Sequence, residues 1–143
     1  MSRVTEERNR RLLRVRDVMD RGYADALDVP TLARLACVSE SHFIRTFRAV
    51  FGETPHRYLQ RRRVERAIWL LRTTDRRVTD ICVEVGFTSL GTFSRVFHEI
   101  VGESPTAHRR RGSVGPVPSC FAHAWLRPAN TAISEKRASV SQH

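Results

Sequence analysis

Arg45 and Arg95 are the two side chains in this sequence best placed for recognition chemistry. Arg45 shares one helical side with Ser41, Ile44 and Arg48, at i, i+3, i+4 and i+7 spacing. Fifty residues on, Arg95 stands among Gly91, Ser94 and His98 at the same spacing. A guanidinium is a planar fork that engages two acceptors at once, either guanine O6 and N7 or two phosphate oxygens. Each fork sits behind a short or polar residue, which leaves room for a duplex to approach. One outward stripe would mean no more than solvated surface; two arginines at equivalent helical positions carry further.

The equivalence extends along the chain. Phe43, Arg45, Phe47, Gly52, Glu53 and Pro55 return as Phe93, Arg95, Phe97, Gly102, Glu103 and Pro105, and Ser39 returns as Ser89. Seven identities at one offset within 17 residues mark one supersecondary unit used twice.

Stepping along the first copy, Val29, Leu32, Ala33 and Ala36 give a short helix with one apolar stripe, and Pro30 fits its first turn. Cys37-Val38-Ser39 makes a tight turn, with Ser39 an N-cap for the next helix. That helix buries Phe43, Phe47 and either Val50 or Phe51, and Gly52 closes it. The second copy has Val78, Ile81, Cys82 and Val85 on its first stripe and Gly86 as the left-handed turn residue. Phe93, Phe97, Ile100 and Val101 form the buried side of its second helix, which Gly102 closes. Two short helices joined by a tight turn, with a basic and polar face on the second, describe a helix-turn-helix.

A long helix is expected between the copies. Thr54-Pro55 is an N-cap followed by proline at the first helical position, and Val64, Ala67, Ile68 and Leu71 line one side as far as about Arg72. Eighteen residues at about 1.5 Å each give a strut of roughly 27 Å, against about 34 Å for one turn of B-DNA. Upstream, Leu12, Val15 and Met19 predict a first helix over about 10–21, with residues 1–9 a flexible start. Downstream, Gly112-Ser113-Val114-Gly115-Pro116-Val117-Pro118-Ser119 cannot hold a helix, so a linker and largely disordered tail are expected over 112–143. Trp69 is placed with Tyr58 away from the main stripe of the linking helix. It either covers a junction between the copies or receives the tail residues Phe121 and Trp125.

Of 143 residues, 25 are Lys or Arg and 15 Asp or Glu, a formal charge of +10. Residues 1–113 carry 22 basic and 14 acidic side chains, so the basicity belongs to the folded part. That balance points to a polyanion partner. Cys37, Cys82 and Cys120 form no CxxC pair, and the amino terminus has no secretory pattern, which points to a reducing cytoplasm. Cys37 and Cys82 read as small buried hydrophobes. Cys120-x-x-His123 has no second pair to complete a zinc site. No apolar run approaches the roughly 20 residues that span a bilayer. No paired carboxylates, phosphate loop or nucleophile-base set is visible, so neither an enzyme nor a cofactor is expected.

The segment Ile81-Cys82-Val83-Glu84-Val85-Gly86-Phe87-Thr88-Ser89, followed by Phe93-Ser94-Arg95-Val96-Phe97, Gly102-Glu103-Ser104-Pro105 and Arg109, resembles the signature of the AraC/XylS transcription-factor family. So does Arg63 with Ala67, Leu70 and Leu71. The resemblance covers roughly residues 10–111. It implies an all-α fold of about seven helices, with two helix-turn-helix subdomains on a long linking helix and both recognition helices in the major groove. The base-reading positions it implies fall on Ser41, Ile44 and Arg45 in the first copy and near Thr92, Ser94 and Arg95 in the second. Phosphate contacts are expected from Arg48, Arg61, Arg62, His98 and Arg109, with Arg63 partly buried in a structural role. Ile44 departs from the polar readers common in the family, and Gly91 costs the second recognition helix about 1 kcal/mol of propensity relative to alanine. The implied partners are double-stranded DNA and RNA polymerase, with a monomer on DNA and no separate ligand-binding domain. The rival is a non-sequence-specific RNA- or ribosome-associated protein, which would need exposed aromatic side chains for stacking.

Overall fold

The first helix, α1, spans Arg3–Arg21 and starts well before the expected residue 10. The Ser2 hydroxyl accepts from the Thr5 backbone N–H at 3.2 Å, which caps the first turn. Glu7 pairs with Arg10 and Arg11 at 3.8 and 3.2 Å. Such i, i+3 and i, i+4 pairs support a helix that buries nothing before Leu12, so residues 3–9 are helical where a flexible start was expected.

The computed structural model describes residues 2–112. Six helices follow α1: α2 Val29–Leu35, α3 Glu40–Phe51, α4 Pro55–Thr73, α5 Val78–Glu84, α6 Leu90–Val101 and α7 Pro105–Gly112. Among the described residues there is no strand, and the fold is all-α as the sequence implies. Gly112, expected to open the linker, ends α7; the rest of the Gly/Pro/Ser linker, the Phe121–Leu126 segment and Cys120-x-x-His123 lie outside the described residues.

The two helix-turn-helix units are α2–α3 and α5–α6. Each recognition helix packs a pair of phenylalanines inward: Phe43 and Phe47 have ring centroids 5.6 Å apart, Phe93 and Phe97 5.8 Å apart. All four are fully buried. Phe51 rather than Val50 completes the first core. In the second, Val96 is buried while Ile100 and Val101 are only half-buried, a shift of the stripe from the expected residues.

Both turns close by the same pair of backbone bonds. Cys37 N–H donates to Arg34 O and Val38 N–H to Ala33 O; Gly86 N–H donates to Val83 O and Phe87 N–H to Cys82 O. This is the Schellman arrangement, which needs a left-handed residue just past the helix. Gly86 supplies it with φ +104° and Cys37 with φ +60°. A side chain in that conformation points away from the helix it ends. Cys37 is therefore exposed, contrary to the inner position expected from its spacing, while Cys82 is buried and its thiol pushed up by burial. The second turn holds one extra residue, Thr88, before the capping Ser89.

Gly86 also makes a close approach. A Cβ there would lie 2.9 Å from both Cα and the carbonyl O of Ala24, in the loop after α1. Gly86→Ala is expected to cost about 2 kcal/mol or more, from left-handed strain plus that collision. Gly102→Ala, at φ +91° with open space around it, should lose only the strain, about 1 kcal/mol. Paired urea melts measure the difference, and equal losses would mean the Ala24 loop yields freely.

α4 belongs to both units. It packs against α1 and α3 of the first and against α5, α6 and α7. Tyr58 and Leu59 join the first core with Leu12, Val15 and Met19. Val64, Ala67, Ile68 and Leu71 lie buried further along α4, as Leu12, Val15 and Met19 do in α1. Each unit is thus an opening helix, a helix-turn-helix and a closing helix, and α4 closes the first while opening the second.

Candidate nucleic-acid interface

The outward faces of α3 and α6 carry the residues that the sequence singles out. Ser41, Arg45 and Arg48 are exposed on α3, with Ile44 half-buried beside them. Arg95 and His98 are exposed on α6, and Thr92 and Ser94 are half-buried. Each helix starts on a serine cap: Ser39 accepts from His42 N–H at 3.2 Å and Ser89 from Thr92 N–H at 3.1 Å. The Thr92 hydroxyl also bonds the Ser89 hydroxyl at 2.8 Å, so Thr92 helps fix the start of α6. Opposite faces of one helix are thereby divided between a phenylalanine core and a basic surface.

Arg95 of α6 belongs to a small charged cluster. Arg95 donates to Glu99 Oε1 at 3.0 Å, and Arg57 of α4 lies 3.6 Å from the other oxygen of the same carboxylate. The i, i+4 spacing of Arg95 and Glu99 was legible; the approach of Arg57 from another helix was not.

Arg61 and Arg62, where phosphate contacts were expected, are instead buried in ion pairs. Arg61 donates through Nε and Nη2 to Glu53 Oε1, at 2.9 and 2.7 Å, and through Nη1 to Glu65 at 2.8 Å. Arg62 donates to Asp20 of α1 at 2.9 Å and to Glu65 at 2.6 Å. Their side chains are only 6% and 9% exposed. Burial works against both charges, but the surrounding carboxylates outweigh it and raise both guanidinium pKa values. Tyr58 completes the network by donating to Asp20 at 2.7 Å; burial, with the Asp20 charge next, pushes its hydroxyl pKa far up. Asp20 ties α1 to α4 through Arg62 and Tyr58, and Glu53 ties the turn before α4 to Arg61.

Arg109, a further expected phosphate contact, is half-buried. Its guanidinium donates to Leu71 O at 3.3 Å and Thr74 O at 3.2 Å, which satisfies carbonyls left open at the end of α4. The neighbouring His108 is buried, and its Nε2 accepts from Arg72 at 3.2 Å. Its Nδ1 therefore carries the proton and donates to Glu103 at 2.9 Å. Burial works against the Glu103 carboxylate, but the hydrogen bonds and charges of Arg111 and His108 together outweigh it and hold the carboxyl below its ordinary range. His108 repeats Tyr58, and Arg111 repeats Arg61: each unit's Gly-Glu turn receives an arginine eight residues on, at 2.7 Å in the first and 2.8 Å in the second.

Arg63 braces the two units. It donates to Tyr23 O at 2.6 Å and Asp25 O at 3.0 Å, and its guanidinium carbon lies 5.8 Å from the Phe87 ring centroid. Burial lowers its pKa. The loop after α1 is thus tied to the turn of the second unit, where Ala24 meets Gly86. Trp69 is 40% exposed, with the Arg66 guanidinium 4.3 Å over its ring, whereas Tyr58 is fully buried in the first core.

Two helix-turn-helix units on a shared helix, each presenting an exposed arginine, define a bipartite recognition domain. Residues 32–111 match the family model described as a helix-turn-helix domain. The regulatory protein SoxS of Escherichia coli K12 is 35% identical over 85 residues, covering 59% of this chain and 79% of SoxS. The MmsAB operon regulatory protein of Pseudomonas aeruginosa is 33% identical over 85 residues, covering 59% of this chain and 28% of that protein. This chain spans less than a third of the latter, and likewise 27% of the regulator AlkR of Acinetobacter baylyi. The DNA-binding domain of AdpA, solved in complex with a target DNA, is 33% identical with TM-score 0.68, covering 71% of this chain and 91% of that one. An AraC-type regulator from Chromobacterium violaceum shares the fold at TM-score 0.67 and 23% identity, covering 76% of this chain and 96% of that one. The chain belongs to the AraC-type helix-turn-helix family. No helix among the described residues is long and apolar enough to cross a membrane.

Proposed function

We propose that this chain is a sequence-specific double-stranded DNA-binding regulator of transcription, with α3 and α6 entering successive major-groove segments. The observation that carries the reading is the matched pair Arg45 and Arg95, exposed at one register on two helices with the same buried face. The likeness to the AdpA domain, solved on its target DNA, supports it. Arg45 and Arg95 each approach a base edge, most naturally guanine O6 and N7. Ser41, Ile44, Thr92 and Ser94 shape the surface around them, and Arg48 and His98 face phosphates. Binding as a monomer and contact with RNA polymerase belong to the same proposal. The RNA-associated alternative loses ground because the phenylalanines of both units are buried rather than displayed for stacking.

Selection of bound sequences from a random duplex library at physiological salt tests the reading. A bipartite motif is expected, and an unenriched pool would overturn it. On the recovered site, Arg45→Ala and Arg95→Ala should each cost about 1–3 kcal/mol and relax preference at one half-site only. Titrations on cognate and scrambled duplexes check this; equal losses on both would reduce these arginines to phosphate contacts.

A further inference from the structure

The two recognition helices are alike at their arginines and unlike one turn further on. Arg95 has a carboxylate partner at i+4, Glu99, whereas the equivalent position after Arg45 is Ala49. Glu99 is gripped from a second side by Arg57, which stands on α4 rather than on the recognition helix. The carboxylate is thus oriented from outside α6 as well as along it. Side chains in this trio are 40% to 61% exposed, so the pairs contribute little to folding. Their chemistry bears instead on what Arg95 can bind.

We propose that Glu99 is a specificity-determining residue of the second half-site, which positions Arg95 and biases its guanidinium from phosphates toward a base edge. This rests on the DNA-binding reading above. An exposed arginine binds any phosphate it can reach, and that sequence-independent term dominates weak binding to arbitrary duplex. A carboxylate beside the guanidinium repels an anionic phosphate. It repels the neutral O6 and N7 edge of a guanine far less, because that edge carries dipoles and no net charge. The same ion pair restricts the arginine's rotamers before binding, so less order is lost on reaching the base. Among the described residues Arg45 has no such carboxylate beside it.

The test uses the full chain and four proteins: wild type, Glu99→Ala, Glu99→Gln and Ala49→Glu. Affinity is measured on cognate and scrambled duplexes across a salt series. Glu99→Ala should bind scrambled duplex about fivefold more tightly, with a salt slope steeper by about one, while cognate affinity stays within about twofold. Discrimination then falls by about fivefold. Glu99→Gln keeps the shape and loses the charge, and should follow alanine. Ala49→Glu places the same i, i+4 carboxylate beside Arg45 and should weaken scrambled binding about threefold. Parallel shifts on both duplexes would overturn the proposal, as would wild-type discrimination in Glu99→Gln. A changed base preference at one position with discrimination intact would make Glu99 a direct reader and also overturn it. Failure of the wild type to bind any duplex would remove the DNA reading itself, whereas binding with unaltered discrimination in the variants removes only the role of Glu99.

Discussion

Glu65→Ala is expected to lower stability by about 3–5 kcal/mol, a fall in melting temperature of roughly 15 °C. One carboxylate serves two guanidiniums here, accepting from Arg61 at 2.8 Å and Arg62 at 2.6 Å with 9% of its side chain exposed. Removing it leaves two buried cations close together on adjacent residues, with Glu53 and Asp20 to hold one each. A buried pair broken on one side is destabilising because the remaining charge was already stripped of water. Glu65→Gln should fall between, since the amide oxygen still accepts but the charge is gone. Urea melts at fixed pH measure all three proteins, and a loss under about 1 kcal/mol would mean the network behaves as a solvated surface pair. DNA titration separates the structural role from the phosphate role first expected of these arginines. A phosphate contact carries a salt-slope contribution of about 0.9, and Arg61→Ala should leave the slope of the folded protein unchanged.

The arginine run Arg61-Arg62-Arg63 shows where sequence reasoning stops. Its basic character and its place on the linking helix were legible, and both suit a phosphate-facing stripe. Glu65 stands at the i+4 and i+3 spacing of one helix, but the partners on other elements were not legible, because Asp20 is 42 residues from Arg62 and Glu53 eight from Arg61, and no periodicity ties a charge to a charge across elements. Arg63 was separated from the run only through the family resemblance. Hydrophobic spacing, by contrast, fixes which face of a helix turns inward. The phenylalanine pairs of α3 and α6 and the stripe of α4 were therefore readable, and with them the two helix-turn-helix units.

The repeat was legible in part, for a geometric reason. Thr88 adds one residue to the second turn, so the helices before the turn align at a different offset from the recognition helices after it. A search at a single offset sees only the second half of each unit. Beyond Pro55 the repeat continues with altered chemistry: Tyr58 donates to Asp20, whereas His108 accepts from Arg72. Donor and acceptor have exchanged sides, a substitution that no identity count detects. Cys37 failed differently. Its spacing places it inside, but the left-handed backbone that closes the turn swings it out.

Lengthening the DNA between the two half-sites by about 5 bp is expected to reduce binding to the level of a single half-site. The reach of the protein is set by α4, whose 19 residues from Pro55 to Thr73 give about 28 Å with no internal glycine or proline. A second brace runs beside it, from Arg63 to the carbonyls of Tyr23 and Asp25 and from Gly86 to Ala24. Two connections between two bodies remove the hinge that a single helix end would allow, so the recognition helices hold one separation and one rotation. Half-sites should accordingly lie close to one helical turn apart, about 10–10.5 bp between centres. An insertion of about 5 bp turns one half-site to the far face of the duplex. An insertion of about 10 bp restores the face but doubles the span to roughly 68 Å, which a 28 Å helix does not follow. Anisotropy titrations on three duplexes differing only in spacer decide the matter. Full affinity at the ten-base-pair insertion would show that the two units move independently, and would remove the braced strut while leaving both helix-turn-helix units standing.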